Sequence, residues 1–146
     1  MIRRSVGLCF LALILAAGAA TTRSLAQAPA ATGSGWQLPS DADATKNPLP
    51  VDARLLAIGK GVFKEKCQKC HGAAGLGDGP DADPDSQEDM DLTNPRRAAR
   101  NSDGIVFYKV SNGRRRPKMP AFNTDLTNDQ IWAVVAYAQS LRKGAK

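Results

Sequence analysis

Cys67, Cys70 and His71 are the densest group of reactive side chains in the sequence, two thiols three positions apart with an imidazole directly after the second. Such a group can serve several chemistries, which ligand counting separates. A structural zinc site uses four Cys or His ligands. His71 is the sole histidine and the third cysteine, Cys9, falls in an N-terminal leader, so zinc would need a carboxylate or a second subunit. A thioredoxin-like redox pair sits after a strand in a βαβ setting, whereas the residues ahead of Cys67 read as a helix. A plain disulfide accounts for neither the adjacent His71 nor the surrounding glycines. The remaining chemistry is attachment: both thiols reach one edge of a flat macrocycle while the imidazole swings onto a metal at its centre, which is what C-x-x-C-H spacing permits.

The elements around this motif are read from periodicity. From Asp52 to Cys67, Leu55, Leu56, Ile58, Val62 and Phe63 recur mostly at spacings of three and four, with Asp52 available as a cap, so an amphipathic helix runs into the cysteines. Gly59 and Gly61 lie inside it, each costing about 1 kcal/mol relative to Ala, which suggests close approach of another backbone. Gly72 to Asn101 has no sustained period and holds Asp78, Asp81, Asp83, Asp85, Glu88, Asp89 and Asp91. It is predicted to be a loop around a buried object; calcium is the alternative role for its acids, although the regular calcium loop with a terminal bidentate Glu is missing. A short apolar segment, Ile105 to Val110, and a basic turn, Asn112 to Lys118, precede a helix from about Thr127 to Arg142. Thr127 or Asn128 can cap that helix, and Ile131, Val134, Val135, Ala138 and Leu141 form its apolar stripe. No segment alternates convincingly as a strand, so the class is all-α.

The N-terminus has its own logic. Arg3 and Arg4 precede an apolar or small-residue run from Val6 to Ala20, and cleavage is expected after Ala26, with Ala20 as the alternative, so residues 1–26 read as an export signal. The other reading is an uncleaved anchor, but this run falls short of the roughly 20 residues that span a bilayer. Loss of Arg3, Arg4 and Arg23 takes Lys plus Arg from 20 to 17 against 14 acids, and net charge from +6 to +3. That is too mildly basic to indicate nucleic-acid binding. Residues 27–51, rich in Ala, Pro, Ser, Thr and Asp, read as a flexible arm whose later part lies on the domain surface. Its aromatic residue, Trp36, is either a surface anchor or a partner contact. The remaining residues, 52–146, form the domain.

The motifs taken in order resemble the small single-haem, His/Met type c-type cytochromes over about residues 53 to 143. They are Gly59-Lys60 with Phe63, Cys67 to Gly72, Gly77-Asp78-Gly79-Pro80, Lys118-Met119-Pro120-Ala121-Phe122, and Ile131-Trp132 with Val135-Ala136-Tyr137. The resemblance implies a cytochrome c fold of three to five short helices around one haem c, attached through Cys67 and Cys70. His71 is then one axial ligand and Met119 the other. Residue inventory narrows the second ligand too: with one histidine, two-histidine ligation from this chain is excluded, and the thioethers left after the leader are Met90 and Met119. Met90 is assigned to packing. Lys118 could ligate only if deprotonated. In relatives the second ring nitrogen of the histidine donates to a proline carbonyl, which would be that of Pro80, and Gly59, Phe63, Val134 and Tyr137 match the contact between first and last helices.

The function so implied is one-electron transfer between periplasmic protein partners, not catalysis. Lys64, Lys66, Lys69 and Lys118, with Arg114, Arg115 and Arg116, are expected to ring the exposed haem edge and steer an acidic partner. The alternatives for Arg114 to Arg116 are a solvated loop or pairing with haem propionates. Two other functional readings stay open: a haem subunit docked to a larger dehydrogenase, oxidase or reductase, and a haem enzyme or gas sensor with an open sixth position.

Overall fold

A computed structural model describes residues 35–116 and 118–144, which lie in one compact unit. The expected leader, residues 1–26, and the arm up to residue 34 fall outside the described residues. The described part is all-α, with six α-helices, one 3-10 turn and isolated bridges in place of strands. Six exceeds the expected three to five because three of the helices are single turns in the loop around the site and beside the motif.

Helix α1, Ala53–Lys66, starts where its sequence says it should: the Asp52 carboxylate accepts the Leu55 N–H at 2.8 Å. It runs almost without interruption into α2, Gln68–His71, because Cys67 N–H still donates to Phe63 and His71 N–H to Cys67. Gly72 then ends the run at φ 73°, a conformation a side chain would resist. The following segment carries the 3-10 turn Pro84–Ser86 and two single-turn helices, α3 Gln87–Met90 and α4 Pro95–Ala98. It is tied back to the motif by Gly77 N–H to the His71 carbonyl (2.9 Å) and Asp81 N–H to the Lys69 carbonyl (2.8 Å).

The apolar segment Ile105 to Val110 is itself helical, part of α5, Asp103–Asn112. The last helix, α6, is Asn128–Gly144. Of the two candidate caps Thr127 is used: its hydroxyl accepts from Gln130 N–H while the Gln130 side chain accepts from Thr127 N–H, a reciprocal capping box.

The core is the crossing of α1 and α6. Ile131 and Val135 are fully buried, and Phe63 is 2 % exposed, its ring tilted on Tyr137 at 5.3 Å. Gly59 lies against the Ala133 carbonyl, where a Cβ would be 2.0 Å from the oxygen. Gly61, by contrast, faces open space, so only one of the two glycines serves the crossing. Phe107 stacks on Trp132 at 4.2 Å and fastens α5 to α6.

Residues 35–51, the later part of the expected arm, lie on the domain through a few specific contacts. Ala42 is 3 % exposed, its carbonyl lying where a side chain on Gly104 would be, and Asn47 Nδ2–H donates to the Trp132 carbonyl at 3.3 Å. Leu49 packs on the core. The composition suited an unstructured tail, but one small residue and one amide meet the backbones of α5 and α6 and hold the segment in place.

Candidate functional site

His71 ends α2 with its imidazole turned into the protein. Its Nδ1 lies 2.7 Å from the Met90 carbonyl, which can only accept, so Nδ1 carries the proton and donates. The other ring nitrogen, Nε2, therefore keeps its lone pair for a metal. Burial pushes the imidazole below its ordinary range, partly offset by the Met90 carbonyl, so the ring is neutral near pH 7.

The acceptor corrects the assignment of Pro80 to this role. Pro80 lies exposed in the turn after Gly79, and the loop instead brings the end of α3 to His71. The reason is in the return path of the chain. Leu76 and Asp91 pair as an isolated bridge, and Leu92 N–H donates to Gly75 at 2.7 Å, so residue 90 is delivered next to the imidazole.

Met119 is held by the short turn after α5. Gly113 ends the helix at φ 64°, and Arg114 and Met119 exchange two backbone hydrogen bonds of 2.8 Å each, presenting the thioether at a fixed place. His71 and Met119 line the same cleft, together with Cys67, Phe63, Val110 and Val134. The cleft encloses about 830 Å³ of empty space, including its open mouth, with walls that are mainly apolar. A second hollow of about 540 Å³ shares Cys67, His71 and Met119 with it and adds Cys70. Cys67 and Cys70 are free thiols. Burial, followed by the neighbouring Cys70, pushes the Cys67 thiol up to about 12, so it stays protonated in this setting.

The basic residues separate into two groups. Lys64, Lys69, Arg115, Arg116 and Lys118 are exposed, and Lys66 pairs with Glu65 at 2.9 Å. Lys66 and Lys118 lie on the hollow that contains Cys70. Arg114 does not belong with its two neighbours: its side chain is 15 % exposed, faces the cleft, and pairs with Asp89 at 3.4 Å. Sequence reasoning missed Arg97, Lys109 and Arg142, which line the same cleft, and did not anticipate Trp36 there. Among the described residues no three His, Cys, Asp or Glu side chains converge on a cation site in the acidic loop; Asp89 and Asp91 face the cleft instead.

The donor set suits one kind of group. Two thiols on neighbouring turns, a neutral imidazole fixed through its other nitrogen, a thioether and apolar walls fit a flat metallated macrocycle bonded at its edge. An all-helical domain folded around such a cleft defines the class of small covalent haem carriers. The comparison with known families agrees: the cytochrome c family model matches residues 56–142, more than half of the chain, and this chain belongs to the cytochrome c family. The chemistry of that family is haem-based electron transfer, with haem c as the covalently held group. Among solved structures it is similar to a chain of a reducing HAO-like protein complex from Kuenenia stuttgartiensis, with 29% sequence identity and a TM-score of 0.52. The match covers 66% of this chain and 49% of the other, so this chain aligns with about half of that protein.

Proposed function

We propose that the chain carries one haem c, bonded through Cys67 and Cys70 and ligated by His71 and Met119, and passes single electrons between protein partners in the periplasm. The observation that carries this reading is the meeting of His71 and Met119 in one apolar cleft that Cys67 also lines. A His/Met pair supplies a closed coordination sphere with a raised potential, which favours electron transfer over substrate binding. The chain's own contribution is positional. Met90 orients the imidazole, the hydrogen-bonded turn from Arg114 to Met119 holds the thioether, and α1 and α6 exclude water from the walls. A pinned Met119 turn argues against an open sixth position and hence against a gas sensor.

Export is supported by the leader-like residues 1–26. No helix of the described residues is long and apolar enough to cross a membrane. Docking to an acidic partner is supported by the exposed Lys64, Lys69 and Lys118 and by the position of Lys66 and Lys118 beside the Cys70 hollow. The structural neighbour belongs to a complex, which favours a second reading, a haem subunit held within a larger redox assembly.

The test is mass spectrometry and optical spectroscopy of protein made in a host competent for haem attachment. One added haem mass, lost in Cys67→Ala/Cys70→Ala, and a weak red-edge band of the oxidised form, lost in Met119→Ala, are expected. A mature chain without added mass would overturn the assignment. Flat dependence of partner reaction rate on ionic strength would remove the basic docking face, and copurification with a larger enzyme would select the second reading.

A further inference from the structure

By sequence Trp36 is open between a surface anchor and a partner contact, and the structure turns it toward the cleft. It lies outside residues 56–142, so nothing in the family match accounts for it. The indole is half-buried and lines both hollows that His71 and Met119 share. A planar guanidinium stacks well on an aromatic face and is more weakly hydrated than an ammonium. Arg114 uses that property: its Cζ stands over the indole, 4.4 Å from the ring centroid, and Lys109 Nζ lies 4.9 Å from the same centroid.

Arg114 is also the residue that holds Met119. Its backbone N–H and carbonyl exchange hydrogen bonds of 2.8 Å with those of Met119, while its guanidinium pairs with Asp89 at 3.4 Å. Asp89 directly precedes Met90, whose carbonyl accepts from His71. One side chain therefore ties the Met119 turn to the segment that orients the imidazole, and Trp36 lies on that side chain. Gln37 adds a second tie. Its carbonyl accepts from Asn112 Nδ2–H at 3.2 Å, one residue before the Gly113 that ends α5 and starts the turn. Gly35 and Gln37 also line a hollow with Gly113 and Met119. Further along, the segment is fixed to the domain by Ala42 against Gly104, by Asn47 on the Trp132 carbonyl and by Leu49 on the core. A turn closed by two backbone hydrogen bonds can still swing as a unit at the end of its helix. Contacts from a segment anchored elsewhere restrict that swing.

We propose that Trp36 is a positioning residue for the Met119 thioether: with Gln37 it braces the turn from Gly113 to Met119 and keeps the sulfur at the cleft. The inference rests on the haem assignment above, with Met119 as the second axial ligand. Its consequence is chemical as well as mechanical. A thioether that leaves the iron opens a coordination position to an outside ligand. The apparent affinity for that ligand scales with the fraction of molecules in which the thioether is off. A segment preceding the family-matched residues thus sets how closed the site is.

The test is titration of the oxidised holoprotein with imidazole, which competes with Met119 for the iron, followed by loss of the weak red-edge band. Removing a partly desolvated cation–π contact should shift this equilibrium by about tenfold, so Trp36→Ala should bind imidazole about tenfold more tightly than wild type. Trp36→Phe, which keeps an aromatic face, should restore most of the wild-type affinity. Asn112→Ala, which removes the bond to the Gln37 carbonyl, should shift it in the same direction by about fivefold and tests the brace where Trp36→Ala fails to fold. Asp52→Ala, a variant weakened at the start of α1, should bind imidazole as wild type does, which separates positioning from loss of stability. Wild-type affinity in Trp36→Ala, or in Asn112→Ala where the first variant does not fold, would overturn the brace while leaving Met119 ligation standing, as would an equal gain in Asp52→Ala. Absence of the red-edge band from the wild type would instead overturn the ligand assignment on which the inference rests.

Discussion

Adding one methyl group at Gly59 and one at Gly61 should have opposite effects, although both glycines lie in α1 two residues apart. A Cβ at Gly59 would meet the Ala133 carbonyl oxygen at 2.0 Å, its carbon at 2.6 Å and Tyr137 Cβ at 2.9 Å. The first two are backbone atoms of α6, so relief requires the helices to part. Overpacking costs about 1–3 kcal/mol, and an overlap with backbone belongs at the upper end. The better helix propensity of Ala returns about 1 kcal/mol, leaving a net loss of about 2 kcal/mol. At about 4–8 °C per kcal/mol for a domain of this size, Gly59→Ala should lower the melting temperature by on the order of 10 °C. At Gly61 nothing lies within 4 Å of the added atom, so the propensity gain stands alone. Gly61→Ala should stabilise by about 0.5–1 kcal/mol. Thermal unfolding of the holoprotein, followed by far-ultraviolet circular dichroism and haem absorption, measures both. Because α1 leads into Cys67 and His71, Gly59→Ala should also disturb the haem spectrum before global unfolding. A Gly59→Ala variant as stable as wild type, or equal losses at the two sites, would refute a close α1 to α6 crossing at Gly59 alone.

Other consequences are independent of that crossing. Gly77→Ala adds an atom 2.7 Å from the Gln87 carbonyl and 3.1 Å from the Met90 carbonyl carbon, at φ 76°. It should loosen the acceptor of His71, seen as faster exchange of the imidazole N–H by NMR, whereas Pro80→Ala should leave that proton unaffected. Asp52→Ala removes a 2.8 Å cap bond and should cost about 1 kcal/mol in urea unfolding without changing the haem spectrum. For Lys109 the sign follows from its depressed value: between about pH 8 and 10.5 the unfolded chain holds a proton that the folded one has released, so this residue's contribution to stability rises with pH across that window. Wild type should therefore gain stability relative to Lys109→Met between about pH 8 and 10 in urea unfolding, and a flat difference through that range would show the amine keeping its ordinary value.

How much of this was readable beforehand depended on how local the signal was. α1 and α6 were legible because each buries one face, and a one-faced helix leaves a spacing of three and four in the chain. α5 read only as an apolar segment. Phe107 stacks on Trp132 while Val106 and Val110 line the cleft, so apolar residues point to several sides and blur the period. The single turns α3 and α4 are too short for any period and depend on local bonds, such as Asn94 Oδ1 accepting from Arg96 and Arg97 N–H. The partner of His71 was misassigned because it is a backbone carbonyl. Every residue carries one, so only the loop's path selects Met90 over Pro80.

Cys67, Cys70 and His71 are close neighbours in the chain, so the reading of their chemistry rests on residue type and spacing alone and needs no fold. Residue inventory likewise reduced the choice of second ligand to two methionines. Tertiary structure decided what lies far apart in sequence: that Met119 faces the cleft of His71, that Trp36 folds back over Lys109 and Arg114, and that Arg97 and Arg142 stand on the same wall. A covalent motif needs only neighbouring atoms, whereas a charged wall exists only after α4, α5 and α6 have packed and brought their side chains into one partly desolvated space.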